Sequence, residues 1–191
     1  MDMQGSRVLN ATQEQTWQAL NDPDILKACI PGCDKFELAE PNVYAVGVAL
    51  KIGPVSAKFT GKVSLMDIVP PNSYALQFEA QGGIAGFGKG ESKVALQPVE
   101  GGVELSYTVH SQVGGKIAQL GQRLIDGVAK TLAEDFFTRF EEQLIARHGA
   151  SNAEEASSSS QDNAEASGST PTWIWAFALV IAASAVWFIS K

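Results

Sequence analysis

Cysteine and histidine are scarce, with two of each in 191 residues. That excludes a disulfide framework, and it leaves too few ligands for an ordinary four-ligand structural zinc site. Cys29-Ile30-Pro31-Gly32-Cys33 has the spacing of half such a site, but His110 and His148 lie far off in sequence. The two thiols read better as small turn residues. No Ser/His/Asp or Cys/His arrangement is visible. His110 falls on the polar face of its strand, and His148 falls at a helix end, where a cation favours the dipole. Gly86-Phe87-Gly88-Lys89-Gly90 is glycine-rich but lacks the spacing of a dinucleotide or phosphate-binding loop. There is no block of basic charge and the net charge is −7, so nucleic acid is not expected as a partner. Met1 to Arg7 has no apolar stretch of the kind a signal peptide needs. The bulk of the chain is therefore expected in the cytoplasm.

The long uncharged run is at the other end. Trp173 to Ile189 reads WIWAFALVIAASAVWFI. As a helix it would span roughly 26 Å, near the ~30 Å of a bilayer core. Trp173, Trp175, Trp187 and Lys191 flank it as interfacial residues do. The expectation is a transmembrane helix over 173–189: a single-pass C-terminal anchor in the cell inner membrane, with the domain facing the cytoplasm. The alternatives are a buried core helix and a removable lipid-anchor signal after Ser167-Gly168-Ser169. Residues 149–172 are rich in Ser, Ala and acids and lack basic and aromatic residues. They read as a disordered linker. Residues 1–148 then form one domain.

Within that domain, Thr12-Gln13-Glu14-Gln15 is a capping box, and Asp22-Pro23 is a second helix start. Two short helices follow from these. Apolar residues then alternate with polar ones from Tyr44 to Ile52, Val55 to Leu65, Tyr74 to Ala80, at Val94 and Leu96, and from Val103 to Val113. Glycine- and proline-containing turns separate the runs. This predicts an antiparallel meander with one apolar face. From Lys116 to about Arg147, Ile117, Leu120, Leu124, Val128, Leu132, Phe136, Phe140 and Leu144 recur at helical spacing. The expected order is one strand, two short helices, six strands and a long helix. The fold class is α+β: a curved antiparallel sheet around a C-terminal helix, with a hollow that one cylinder cannot fill.

This order resembles the helix-grip fold of the START-like (SRPBCC) superfamily. Ile30-Pro31-Gly32-Cys33, Lys51-Ile52-Gly53-Pro54-Val55, the run Gly115 to Leu124 (GKIAQLGQRL) and Phe136-Phe137 resemble the CoxG family of carbon monoxide dehydrogenase subunits. The resemblance covers nearly all of residues 1–148, and the Gly115 run is its most specific part. It implies association with the cytoplasmic molybdenum carbon monoxide dehydrogenase complex and its recruitment to the membrane. Such an enzyme yields electrons that must reach a lipid-soluble quinone, so a domain with an apolar cavity is expected to support electron delivery to the quinone pool. With no catalytic constellation visible, the chain is not expected to be an enzyme itself.

The inward positions are almost wholly apolar, which suits a hydrophobic ligand and not acid–base chemistry. Trp17, Phe59, Gly61, Phe78, Ala80, Phe87, Leu124 and Val128 are the candidate ligand-binding residues. The aromatic ones fit a packed core as well. The small ones, Gly61 and Ala80, would leave volume in a concave sheet. Ile84 and Phe87 lie in a glycine-rich turn where they would be half-buried, gate a pocket or touch lipid. The expected ligand is a quinone (menaquinone or ubiquinone) or a lipid. No covalent cofactor and no metal are expected. Two other readings stay open: a ligand-free adaptor for the dehydrogenase, and a small enzyme acting on a hydrophobic compound.

Overall fold

The computed structural model describes residues 1–158, with side chains as far as His148. Strand β1 (Asp2–Leu9) leads into helices α1 (Gln13–Leu20) and α2 (Pro23–Cys29). Six strands follow: β2 (Cys33–Glu40), β3 (Val43–Ile52), β4 (Val55–Val69), β5 (Ser73–Gln81), β6 (Phe87–Val99) and β7 (Gly102–Gly114). Helix α3 (Gln122–Ser158) comes last. The sheet order is β1-β7-β6-β5-β4-β3-β2, antiparallel throughout. The meander runs in sequence order from β2 at one edge to β7, and β1 pairs with β7 to form the other edge.

The local signals act as their chemistry requires. Thr12 Oγ1 accepts from the Gln15 amide at 3.2 Å, while the Thr12 amide donates to Gln15 Oε1 at 2.9 Å. At α2 the Asp22 carboxylate accepts from the amides of Asp24 (2.9 Å) and Ile25 (3.3 Å), and Pro23 needs no partner at the first helical position.

The main core lies beneath α1 and α2. Leu9, Trp17, Leu20 and Ile25 meet Phe137, Phe140 and Leu144 of α3 against the β5–β7 part of the sheet. Phe140 is wholly buried. Arg7 of β1 clamps α3 through Glu141 (2.6 Å) and Glu134 (3.3 Å). Arg147 donates to Asp22 at 2.7 Å, joining α3 to the cap of α2. A smaller core at the other end holds Ile52, Phe59, Ala85 and Ile117.

Two expectations need correction. The C-terminal helix does not start at Lys116. Residues Ala118–Leu120 form a 3-10 turn, and Gly121, at φ 90°, ends it before α3 begins. A left-handed residue cannot continue an α-helix. At the other end, α3 runs to Ser158. Its sequence there, with Ala150, Ala153, Glu154, Glu155 and Ala156, has good helix formers. Residues 159–172 lie outside the described residues.

The second correction concerns the membrane. Among the described residues no helix is long and apolar enough to cross a membrane. The long one, α3, exposes Arg123, Asp126, Lys130, Asp135 and Arg139, and charges at a bilayer centre are costly. The span expected over 173–189 lies outside the described residues. The transmembrane anchor expected as part of the fold, and with it the membrane-tethered function and the single-pass inner-membrane location, have no such helix to rest on among the described residues.

Asp22 serves both as helix cap and as partner of Arg147. Burial alone would raise its pKa, but the hydrogen bonds from Arg147 and from the Ile25 and Asp24 amides hold it below the usual carboxylate range. Its folded-state pKa is depressed, so its contribution is complete above the unfolded value near ~3.9 and fades as pH falls through the folded one. Asp22→Ala is expected to cost about 1 kcal/mol in chemical denaturation at pH 7. The gap from the parent should narrow once the pH drops below about 4. A pH-independent gap would remove the charge from this account.

Candidate functional site

Seven strands at ~4.8 Å spacing make a sheet roughly 29 Å wide, whereas a helix with its side chains is about 10 Å across. The curvature of the sheet brings its edges toward α3, and α1 and α2 cover one end. Two adjoining chambers remain between the sheet and α3. The outer one, about 530 Å³, is lined by Val46 and Val48 of β3, Phe59 and Gly61 of β4, Phe78 and Ala80 of β5, Gly88 of β6, Val113 of β7, and Ile125, Val128, Ala129 and Leu132 of α3, among others. The inner one, about 340 Å³, lies between α2, α3 and the sheet, with lining residues from β2 to β7. Met3, Ile30, Val63, Phe78 and Phe136 line both.

Period-two alternation makes this lining mostly apolar, since every second residue of each strand faces α3, although Lys62, Glu79 and Lys89 also border the outer chamber. Among the residues of the inner chamber the polar side-chain groups are a few hydroxyls, and no side chain is charged. A further groove of about 700 Å³ lies among Lys62, Glu79, Lys89, Glu91 and His110. Its charges are those of a solvated sheet face. There His110 Nδ1 lies 2.6 Å from Asp2 Oδ1, and this hydrogen bond chiefly holds the Asp2 carboxyl below its usual range.

Five of the eight candidate residues line the hollow: Phe59, Gly61, Phe78, Ala80 and Val128. The other three do not. Trp17 is buried in the main core, its ring edge-on to Tyr74 at 5.7 Å. Phe87 is 38 % exposed and packs across Gly114 of the neighbouring strand, outside the hollow. Leu124 is 39 % exposed and points to the β3–β4 turn at Gly53, while its neighbour Ile125 faces inward. The α-helix starts later than the spacing predicts, and its facing residues from there are Ile125, Val128 and Ala129. Ile84 of the glycine-rich turn is 86 % exposed.

The reading of the small residues also changes. A Cβ at Gly61 would overlap the Glu79 carbonyl and Ala80 Cα, so this glycine permits close approach of β4 to β5. At Gly88 a Cβ would meet nothing within 4 Å. The usable volume lies beside Gly88.

Cys29 is buried and Cys33 half-buried, both as free thiols. Burial pushes the Cys29 thiol up to about 11, which removes it from nucleophilic work near neutral pH. No cluster of three or more His, Cys, Asp or Glu suited to a metal occurs among the described residues.

Fold and hollow together define a helix-grip protein built to enclose an apolar molecule. The CoxG family of carbon monoxide dehydrogenase subunits matches residues 5–145, and the chain belongs to that family. Among solved structures, a conserved protein from Geobacillus kaustophilus is 36 % identical, covers 78 % of this chain and 97 % of its own, and superposes with a TM-score of 0.73. A protein from Rhodobacter sphaeroides is 20 % identical over 76 % of this chain and 92 % of its own, with a TM-score of 0.57. One from Thermus thermophilus is 14 % identical over 77 % and 99 %, at 0.59. The last two share the fold. No curated protein matches the chain.

The two glycines provide a direct check on where the hollow lies. Gly61→Ala is expected to destabilise the protein by about 1–3 kcal/mol through backbone overlap. Gly88→Ala should be neutral or stabilising by up to about 1 kcal/mol, because it limits the unfolded chain without meeting a neighbour. Thermal melts of the two variants would show this, and equal losses at both sites would place tight packing beside Gly88.

Proposed function

We propose that the chain is a ligand-binding accessory protein that works with the carbon monoxide dehydrogenase complex, and that its ligand is a quinone, menaquinone or ubiquinone, or a lipid of similar shape. One observation carries this reading: an apolar hollow of two adjoining chambers stays unfilled although eighteen hydrophobic side chains of the same domain are buried. An apolar void of this size forfeits dispersion contacts on every wall. Its persistence is accounted for if a ligand supplies the missing contacts. Each buried methylene of such a ligand gains about 0.8 kcal/mol over water. A quinone suits the partner as well as the hollow, since the dehydrogenase yields electrons and a quinone accepts them. Phe59, Gly61, Phe78, Ala80 and Val128 are assigned to contact the ligand. Trp17 supports the core beneath it.

The test is a Gly88→Trp variant of the full chain. Fluorescence quenching with decylubiquinone would report binding, and thermal melting would report packing. Binding is expected to weaken at least about ten-fold, which corresponds to about 1.4 kcal/mol, while the melting temperature changes by only a few degrees. A parent protein that binds no quinone and no lipid would leave a ligand-free adaptor.

A further inference from the structure

The chain has three tyrosines, Tyr44, Tyr74 and Tyr107, and all three line the inner chamber. They come from three different strands, β3, β5 and β7. Tyr74 and Tyr107 flank Val94 at one level of the sheet, because Val94 is the partner of both in the strand register. Ser92 lies two residues along β6 on the same face and also lines the chamber. Tyr74 and Ser92 are each 8 % exposed. Among the described residues neither hydroxyl has a hydrogen-bond partner in the protein, and neither oxygen is sealed from solvent, since the fully buried side-chain oxygen without a partner there is Thr16 Oγ1. Hydroxyls beside an apolar chamber bond whatever polar group enters it. Tyr74 and Ser92 both line this one, so both are available to a partner from outside the protein.

The surroundings restrict what that partner is. No lysine, arginine or histidine lines the inner chamber to receive a carboxylate or phosphate, and no acid lines it to receive an amine. A charge brought there would lose its hydration without a counter-charge, at a cost of several kcal/mol. A phenol and an alcohol donate well to a neutral oxygen, and that leaves a ketone, a quinone-type carbonyl or an ester. Burial pushes the Tyr74 hydroxyl well above the usual phenol range, and Tyr44 nearby pushes it further. Tyr74 therefore stays a proton donor at every physiological pH.

We propose that the inner chamber is a head-group site in which Tyr74 and Ser92 donate hydrogen bonds to a neutral carbonyl oxygen, with the ligand's hydrocarbon running past Phe78 into the outer chamber. The site selects neutral carbonyl-bearing lipids over fatty acids and over plain hydrocarbons. This rests on the reading of the hollow as an apolar ligand site, but it can fail separately.

Three probes of equal length separate the two: 2-undecanone, undecanoate and undecane. Each would displace the fluorescent probe N-phenyl-1-naphthylamine from the full chain at pH 8. The ketone is expected to bind about five- to ten-fold more tightly than the alkane, and undecanoate more weakly than either. Tyr74→Phe and Ser92→Ala should each lower ketone affinity about three- to ten-fold and leave undecane affinity unchanged, which also shows that the variants keep the hollow. Equal binding of ketone and alkane by the parent would overturn the head-group site and leave the apolar site standing. So would a carboxylate preference, or equal losses for both probes in the variants. If undecane fails to displace the fluorophore, both readings fall.

Discussion

One helix cannot fill the concave face of a seven-stranded sheet, and most of this molecule follows from that mismatch. The sheet's apolar residues must leave water, so the chain ends its domain with a long amphipathic helix that lies across them. Phe137, Phe140 and Leu144 close one end together with α1 and α2. Toward the other end the helix residues facing the sheet are Val128, Ala129 and Leu132, smaller side chains that do not reach across. The taper from phenylalanine to alanine and valine along α3 sets where the solid core stops and the hollow begins. A stable closed end and an unfilled middle thus come from a single helix, and the ion pairs of Arg7 and Arg147 keep that helix in register over the sheet.

The larger architecture is legible in the sequence because it rests on periodicity. Thr12 and Asp22 mark helix starts, and alternation from Tyr44 to Val113 marks strands, since these signals depend on neighbours in sequence. Sequence reasoning fails where a distant contact decides. Leu124 fits the helical spacing, yet Gly121 delays the helix and turns Leu124 outward toward Gly53. Phe87 reads as part of a glycine-rich turn but begins β6 and lies across Gly114, because the strand beside it has no side chain there. Gly61 suggests space and is instead a point of close backbone approach, while Gly88 is the residue beside real volume. Smallness alone does not tell the two apart. The tyrosine hydroxyls give no signal in sequence, because three residues spread over more than sixty positions show no local motif. Their shared chamber exists only once the register of β3 to β7 is set.

Membership in the CoxG family fits these physical features without replacing them. The scarcity of histidine and cysteine and the apolar inward faces leave little chemistry for the chain to perform. They leave a great deal of surface with which to hold something. A cavity that borders both aliphatic side chains and a few unpaired hydroxyls is suited to a molecule with a long hydrocarbon and a small neutral polar end.

The central claim is that the hollow is occupied when the protein works. Native mass spectrometry of the full chain, purified from its own cells without detergent, tests it most directly. The account predicts a population heavier than the bare chain, whose extra mass is released into organic solvent as an apolar molecule. A chain that flies only at its bare mass, and that stays so after incubation with quinones and lipids, would contradict it.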